Sequence, residues 1–574
     1  MKKRLCILLA SLICLASVSG SIVFAEENET AVRLSAADNV ESGGGVSAED
    51  GQQPEMPDNG GMIPPDSGGK FPPPWLEEEK DELAPVITQQ PQTVKYVTEK
   101  SRYSAPEFGV TAKLSSMCEN GILRFEWYTD GDMVSEEVFD AENTREYTST
   151  FRADGLKNRP AGVYRVYCKV STYVGEEVHS SDSYEANFIV CRGIQKNTVI
   201  TFSDVHEAFS NIGTTLSDCI KNNGGLIPAL IVCSGDWVTA SHNMGDKEES
   251  YENVRDTLIA RIALQTGGID TVYVAGNHDN GRAAAEATRA ANLGADADYS
   301  GAGIIYDGRV PYADGKQKPA PDVIVIGMNY EEAAELDADG NVLAADYAPV
   351  ISKLETAFEK IKQDYNGELI IISAHSGLHT LGIQPQSEAN EWAGSLEYNI
   401  DNSDKLAELL NGYAENVDIV YFFGHDHSKR EAEFALLPGD KIISTSCFAD
   451  KTYTENILKF AYAHAGYITD IIGGREYYSY VRLDDKSFSR ILYIADEAGG
   501  RVDGLSFTAE RKANVKPVEE KEEQSTAASR KSGKSSRKAA QTVYEKTKKT
   551  ADDGISLSKA LLRLGDMVAA GFEA

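Results

Sequence analysis

The sequence predicts an α/β domain of helix-covered sheets standing behind a smaller all-β domain. Three observations predict it. Between residues 194 and 510, apolar β-branched runs alternate with segments of helical period. Between residues 84 and 191 the runs are shorter and separated by turn residues, with no helical period. Five runs of the longer region end in Asp, Asn or His, and in open α/β sheets the ligand site lies at the carboxyl ends of the strands.

The elements follow in chain order. Residues 1–25 open with Lys2, Lys3 and Arg4, continue with an apolar run, and close with small residues around Val23-Phe24-Ala25. This is the pattern of a secretory signal peptide, so the protein is expected to be secreted or at the cell surface. Cys14 would suggest lipidation, but Ile13 before it is not small. No later stretch is long and apolar enough to stop transfer. Residues 26–83, with MPDNGGMIPPDSGGKFPPPW, carry too few large apolar side chains to offset the entropy of ordering, and read as a disordered linker.

Residues 84–193 contain VKYVT, FGVTAKL, ILRFEWYT, VYRVYCKV and YEANFIV, divided by ENG, TDGD and ADG. Short strands at regular spacing predict a small β-sandwich. Trp127 in a central strand, Gly162-Val163-Tyr164 ahead of Cys168, and the opening PVITQQPQTV resemble bacterial immunoglobulin-like domains. Tyr164 precedes Cys168 by four residues rather than the two of the antibody pattern, and Cys118 lies close to Trp127. The usual disulfide is therefore not implied. Cys118 with Cys168, or a pairing with Cys191, stays open.

Residues 194–510 carry the runs TVITF, ALIVC, TVYVA, DVIVIG, ELIIIS and DIVYFF. Helix candidates are EESYENVRDTLIARIALQ, ADYAPVISKLETAFEKIKQD and NSDKLAELLNGYAE, the last behind a cap-type cluster at Asp401-Asn402-Ser403. EYYSYVRL and FSRILYIAD predict an antiparallel closing hairpin. Residues 511–574 are polar and basic and read as a mostly disordered, solvated tail; Ile555 to Phe572 could form a short amphipathic helix.

Composition sets limits. The formal net charge of −33 argues against a general nucleic-acid binder. Six cysteines after the leader are few for so long a chain, so disulfides do not hold the fold.

The strand ends carry the chemistry. TVITF is followed by Asp204 and His206, ALIVC by Asp236, TVYVA by Asn277, His278 and Asp279, ELIIIS by His375, and DIVYFF by His425 and His427. In D-x-H and H-x-H the residues i and i+2 of an extended segment point the same way. A mixed set of nitrogen and oxygen donors suits Zn, Fe or Mn better than Ca or Mg, and it is too large for one four-coordinate ion.

The order DVH, GDW, GNHD, AH, GHDH resembles the calcineurin-like metallophosphoesterases. The resemblance spans residues 194–510, and all five blocks occur in order. It implies the β-sandwich of that family flanked by helices, two divalent or trivalent ions, and hydrolysis of a phosphate ester by a dimetal-bound hydroxide. Asp204, His206 and His427 resemble ligands of the first metal. Asn277, His375 and His425 resemble ligands of the second, and Asp236 the bridging carboxylate. His278 resembles the group that touches substrate phosphate, and Asp279 its orienting partner. His379 rivals His375, which is preferred because it directly follows an apolar strand.

Plainer readings stand beside these. A lone His at a strand end is ordinarily a hydrogen-bonded surface or core residue, which serves for His179, His242 and His464. Trp237 and Trp392 could stack on a base or sugar but more often such residues are simply packed. Cys233 reads as a small core residue, and Asp426 as a loop residue. The immunoglobulin-like domain or the basic tail could contact a cell-surface polymer. The expected partner is a phosphate-ester substrate, with nucleic acid excluded beyond a nucleotide substrate. A nucleotidase or phosphodiesterase is the alternative within the class. A surface adhesin with a degenerate metal domain is the alternative outside it, and the complete ligand set argues against that.

Overall fold

The computed structural model describes residues 81–512, except 92–96, 99–106, 157–158, 238–258, 280–287, 289–290, 293–300, 337–341, 381–398, 428–431, 470–475, 496–499 and 502–505. The expected leader, most of the linker, nearly all of the tail, His242 and Trp392 lie outside the described residues. So does the first part of the helix expected from EESYENVRDTLIARIALQ.

The N-terminal strands are β1 (Val86–Gln89), β2 (Val97–Thr98), β3 (Glu107–Lys113), β4 (Asn120–Thr129), β5 (Asp132–Glu142), β6 (Tyr147–Arg152), β7 (Gly162–Val174), β8 (Glu177–Asp182) and β9 (Ala186–Cys191). One sheet is ordered β1-β3-β6, the other β2-β9-β7-β4-β5 with β8 paired to β7. Alternation along the strands sends Phe108 and Val110 of β3 and Leu123, Phe125 and Trp127 of β4 into one core with Val166, Cys168 and Val170 of β7. Trp127 is fully buried, and its indole N–H donates to Ser149 Oγ at 3.0 Å. The Tyr164 hydroxyl donates to the Pro160 carbonyl at 2.7 Å, pinning the entry to β7. Cys118, Cys168, Cys191, Cys219, Cys233 and Cys447 are free thiols, so neither cystine left open by the sequence is formed.

The remaining strands begin with β10 (Gly193–Phe202), β11 (Leu226–Ser234), β12 (Thr271–Val274), β13 (Ala302–Asp307), β14 (Val323–Met328), β15 (Ala334–Leu336), β16 (Val342–Ala345), β17 (Leu369–Ala374) and β18 (Asp418–Phe423). They continue with β19 (Ala435–Leu436), β20 (Lys441–Cys447), β21 (Thr452–Ile457), β22 (Ala461–His464), β23 (Glu476–Leu483), β24 (Ser487–Ala495), β25 (Gly500–Arg501) and β26 (Phe507–Glu510). The helices are α1 (Phe209–Asn222), α2 (Ala260–Thr266), α3 (Ala348–Gln363) and α4 (Ser403–Tyr413).

One sheet runs β12-β11-β10-β23-β24-β25, with β26 on β24. The other runs β13-β14-β17-β18-β22-β19. β10, β11 and β12 are parallel, as are β14, β17, β18 and β22. β23 and β24 pair antiparallel as the closing hairpin.

The central runs are apolar throughout because both of their faces are covered. Leu369 and Ile371 of β17 join Leu230 and Val232 of β11 in the core between the sheets. Ile370 and Ile372, one residue out of phase, pack with Leu354 and Phe358 of α3 and Leu406 and Leu410 of α4. The first sheet is covered likewise: Ile231 and Cys233 of β11 pack with Ile212, Leu216 and Cys219 of α1. The result is four layers, helix, sheet, sheet, helix.

The sandwich and the α/β domain interlock. Only Arg192 separates β9 from β10. Ile189 and Cys191 of β9 belong to the core under α1, while Leu264 of α2 belongs to the sandwich core. The Asn187 side-chain amide donates to the Gln265 carbonyl and to Gln265 Oε1, at 2.9 and 2.8 Å, and Gln265 Nε2 donates to the Glu185 carbonyl at 2.8 Å.

The start of α4 departs from expectation. Asn402 sits in the left-handed region at φ +59° and makes no side-chain cap bond. Its amide instead donates to Asp346 Oδ1 at 2.6 Å, so the cap-type cluster ties two loops together. Among the described residues no helix is long and apolar enough to cross a membrane.

Candidate metal centre

The carboxyl ends of β10, β11 and β12 in one sheet and of β17 and β18 in the other bring their polar residues into contact. Asp204, His206, Asp236 and His427 have ligand-type atoms within 4.8 Å of one another, and so do Asp236, His375 and His425. Asp236 is common to both groups.

The turns that bring them there are unusual. Asp204, His206, Asp236 and His425 all have positive φ, at +54°, +44°, +55° and +81°. Non-glycine residues seldom adopt that region, and where they do the surrounding structure must hold them. Backbone bonds do so here: Asp204 N donates to the Gly235 carbonyl at 2.9 Å and His206 N to the Asp236 carbonyl at 3.0 Å. Gly276 is required as glycine because a Cβ there would collide with the Asp236 carboxylate and backbone.

Distances define the two halves. His427 Nε2 lies 2.9 Å from Asp204 Oδ1 and 3.0 Å from His206 Nε2. His206 Nε2 is 3.7 Å from Asp236 Oδ2, and His375 Nε2 is 3.1 Å from the same oxygen. His425 Nδ1 is 2.9 Å from Asn277 Oδ1, and its backbone N–H donates to both Asp204 oxygens at 3.3 and 3.2 Å. The Ser203 hydroxyl also donates to Asp204 Oδ2. His375 Nδ1 lies 3.0 Å from the Ser234 carbonyl. Donation there fixes the tautomer and turns Nε2 toward Asp236, the usual outer support of a ligating imidazole.

The electrostatics suit a cation. Burial penalises charge on every member, yet the imidazoles His427 and His375 hold Asp204 below the ordinary carboxylate range. Asp236 is held well below it, chiefly by His375 and His278. Burial works against a charged His375, but Asp236 and then Asp204 raise it to about 9. His427 is raised by Asp204 against the same penalty. Burial and then the neighbouring His375 push His425 down to about 3. Two carboxylates thus draw positive charge into a buried pocket of imidazoles. Ring nitrogens 3.0 Å apart, converging with carboxylate oxygens, are the donor arrangement that Zn, Fe or Mn takes.

His278 is placed differently. Its side chain is 30% exposed, its Nε2 is 3.9 Å from Asp236 Oδ2, and its ring stands 5.0 Å from that of His206. Asp279 is buried and accepts the backbone N–H groups of Trp237 and Gly276, each at 2.9 Å. It staples the Asp236 loop to the Asn277 loop. Burial and then Asp236 raise its carboxyl to about 7.

The other sequence candidates fall elsewhere. His379, four residues beyond His375, lies 2.7 Å from the Tyr462 hydroxyl and stacks on Phe434. His179, on β8, pairs with Asp81. His464 is buried, its Nδ1 accepting the Gly466 N–H at 3.0 Å. Trp237 is buried against Tyr273, with ring centroids 5.7 Å apart, and is packed rather than open to a base.

Sequence reasoning missed a sixth strand end. β22 lies parallel to β18 and is followed by Tyr467, whose ring is 6.1 Å from His427. The available signal was FAYAHAG, an apolar strand with a histidine and a glycine behind it.

Residues 198–429 match the model of the family described as calcineurin-like phosphoesterase. No curated protein matches the chain. Among solved structures, the chain is similar to a dimetal phosphatase from Danio rerio, 13% identical over 55% of this chain and 100% of that one, with a TM-score of 0.35. It is also similar to the calcineurin-like phosphoesterase YfkN from Bacillus subtilis, 13% identical over 55% of this chain and 90% of that one, with a TM-score of 0.27. At such scores the likenesses add nothing to the family match.

Proposed function

We propose that residues 194–510 form a dinuclear metal-dependent phosphoric ester hydrolase, exported from the cell behind an immunoglobulin-like module. The observation that carries this reading is the pair of donor groups sharing Asp236. A single buried carboxylate common to two sets of imidazoles is what two adjacent cations require. The family match over residues 198–429 supports it independently.

In this reading Asp204, His206 and His427 hold one ion, Asn277, His375 and His425 hold the other, and Asp236 bridges. The two ions would supply positive charge for the phosphate oxyanion and a nucleophile from water at neutral pH. The chain does the rest. Ser203 and the His425 backbone N–H orient Asp204. The Ser234 carbonyl orients His375. Asp279 keeps the Asp236 and Asn277 loops in register. His278, the most exposed imidazole of the set, is free to reach a phosphate oxygen or to hand a proton to the departing oxygen. Export rests on the Lys2-to-Ala25 pattern. The immunoglobulin-like reading rests on the two-sheet sandwich with its buried Trp127.

The test is metal content by elemental analysis together with turnover of a panel of phosphomonoesters, phosphodiesters and nucleotides. Two ions per chain and turnover lost on chelation are expected. A protein that takes up no metal and is inert to the whole panel would favour the adhesin reading.

A further inference from the structure

β22 sits beside β18 with Val420 opposite Ala461 and Phe423 opposite His464. Its carboxyl end is therefore level with the end of β18, which His425 and His427 follow. The next residues are Ala465, Gly466 and Tyr467. Gly466 has φ +103°, and a Cβ there would run into the Tyr477 carbonyl.

That turn lays Tyr467 alongside Ser203 in a parallel bridge. The Ser203 N–H donates to the Gly466 carbonyl at 2.8 Å, and the Ser203 hydroxyl oxygen lies 2.7 Å from the same carbonyl. Ile468 N donates to the Ser203 carbonyl at 3.3 Å, and Tyr477 N to the Tyr467 carbonyl at 2.7 Å. The backbone of Tyr467 is thus fixed to the residue before Asp204 on one side and to β23 on the other.

The rings of His278, His206, His427 and Tyr467 are successive neighbours, with centroids 5.0, 4.7 and 6.1 Å apart. Tyr467 is only 4% exposed, and its ring packs against those of His427, His464 and Tyr477. A phenolic hydroxyl can donate a hydrogen bond.

We propose that Tyr467 is a substrate-contacting residue, its hydroxyl donating to an oxygen of phosphate, or of a phosphate ester, held at the His206–His427 half of the centre. The proposal rests on the reading of this centre as a phosphoesterase. His278 would then serve one end of the ester and Tyr467 the other. Hydrogen bonds to charged oxygen are the stronger class, and loss of one corresponds to about tenfold or more in binding.

The experiment uses the full chain loaded with its metal ions, as wild type and as Tyr467→Phe. Calorimetry measures binding of inorganic phosphate; a nitrophenyl phosphate ester gives KM and kcat separately. The Phe variant is expected to keep both ions and its Tm, to bind phosphate about tenfold more weakly, and to lose about tenfold in kcat/KM. Phosphate binding within twofold of wild type would overturn the proposal, and so would loss of metal, which would make Tyr467 a ligand or a structural prop. A wild-type protein that binds phosphate but hydrolyses nothing would sink the hydrolase reading while the binding comparison still decides the role of Tyr467. A wild type that binds no phosphate overturns both.

Discussion

Metal uptake should be coupled to proton release, and His375 sets the amount. Its imidazole is raised from an ordinary 6.5 to about 9 by Asp236 and Asp204, against the burial that opposes it. That gap corresponds to about 3 kcal/mol. A proton on His375 has to leave before Nε2 can bind a cation. At pH 7.5 that displacement costs about 2 kcal/mol, so affinity at the second site should be about thirty-fold weaker than above pH 9. The same proton stabilises the apo-protein. Because the folded value is raised, the contribution is fully present below pH 6.5 and is lost as pH climbs through about 9. Chelated protein titrated with Zn or Mn at pH 7.5, in buffers of different ionisation enthalpy, gives the number of protons released per ion. About one proton or more is expected, falling toward none above pH 9, with metal affinity rising over the same range. Uptake without proton release at pH 7.5 would refute the coupling.

Other perturbations have equally definite outcomes. Asp236→Asn should lose metal affinity at both sites and nearly all turnover, because a neutral amide bridges two cations poorly; full activity with two ions bound would sink the bridging role. His278→Ala should leave metal content unchanged and slow an alkyl phosphate far more than a nitrophenyl phosphate, by about 10²–10⁴-fold if it is a general acid. Equal losses on both substrates would make it a phosphate-binding group instead. Deleting residues 84–193 would strip Ile189 and Cys191 from the core under α1 and uncover Leu264. At about 2–3 kcal/mol per large apolar side chain, a marked fall in Tm or insolubility is expected. An unchanged Tm would show that the two cores are separable.

The legible parts of the chain were those where one local rule decides. TVITF, ALIVC, ELIIIS and DIVYFF read as strands because both faces of each are buried, and a polar residue behind such a run stands at the sheet edge. What stayed hidden depends on distant partners. α1 reads FSNIGTTLSDCIKN, with Ser, Thr and Gly at interior positions and no side-chain cap, so packing of Phe209, Ile212 and Leu216 rather than propensity makes it a helix. β22 is four residues long and alternates alanine with larger residues, and its place is given by pairing with β18. The Asn402 bond to Asp346 spans two loops that no spacing links. Nothing in DVH, GDW or GHDH announces left-handed backbone at four of the candidate ligands.

Those four residues concentrate backbone strain at the centre. Asp204, His206, Asp236 and His425 each hold a backbone shape that glycine would adopt at no steric cost. The conformational penalty is about 1–2 kcal/mol for each, a total on the scale of a whole domain's net stability. Glycine would relieve the backbone at any of them, but at Asp204 or Asp236 it would also leave the buried His375 and His427 without the carboxylates that pair them, so strain and ligand geometry are held in place by the same side chains.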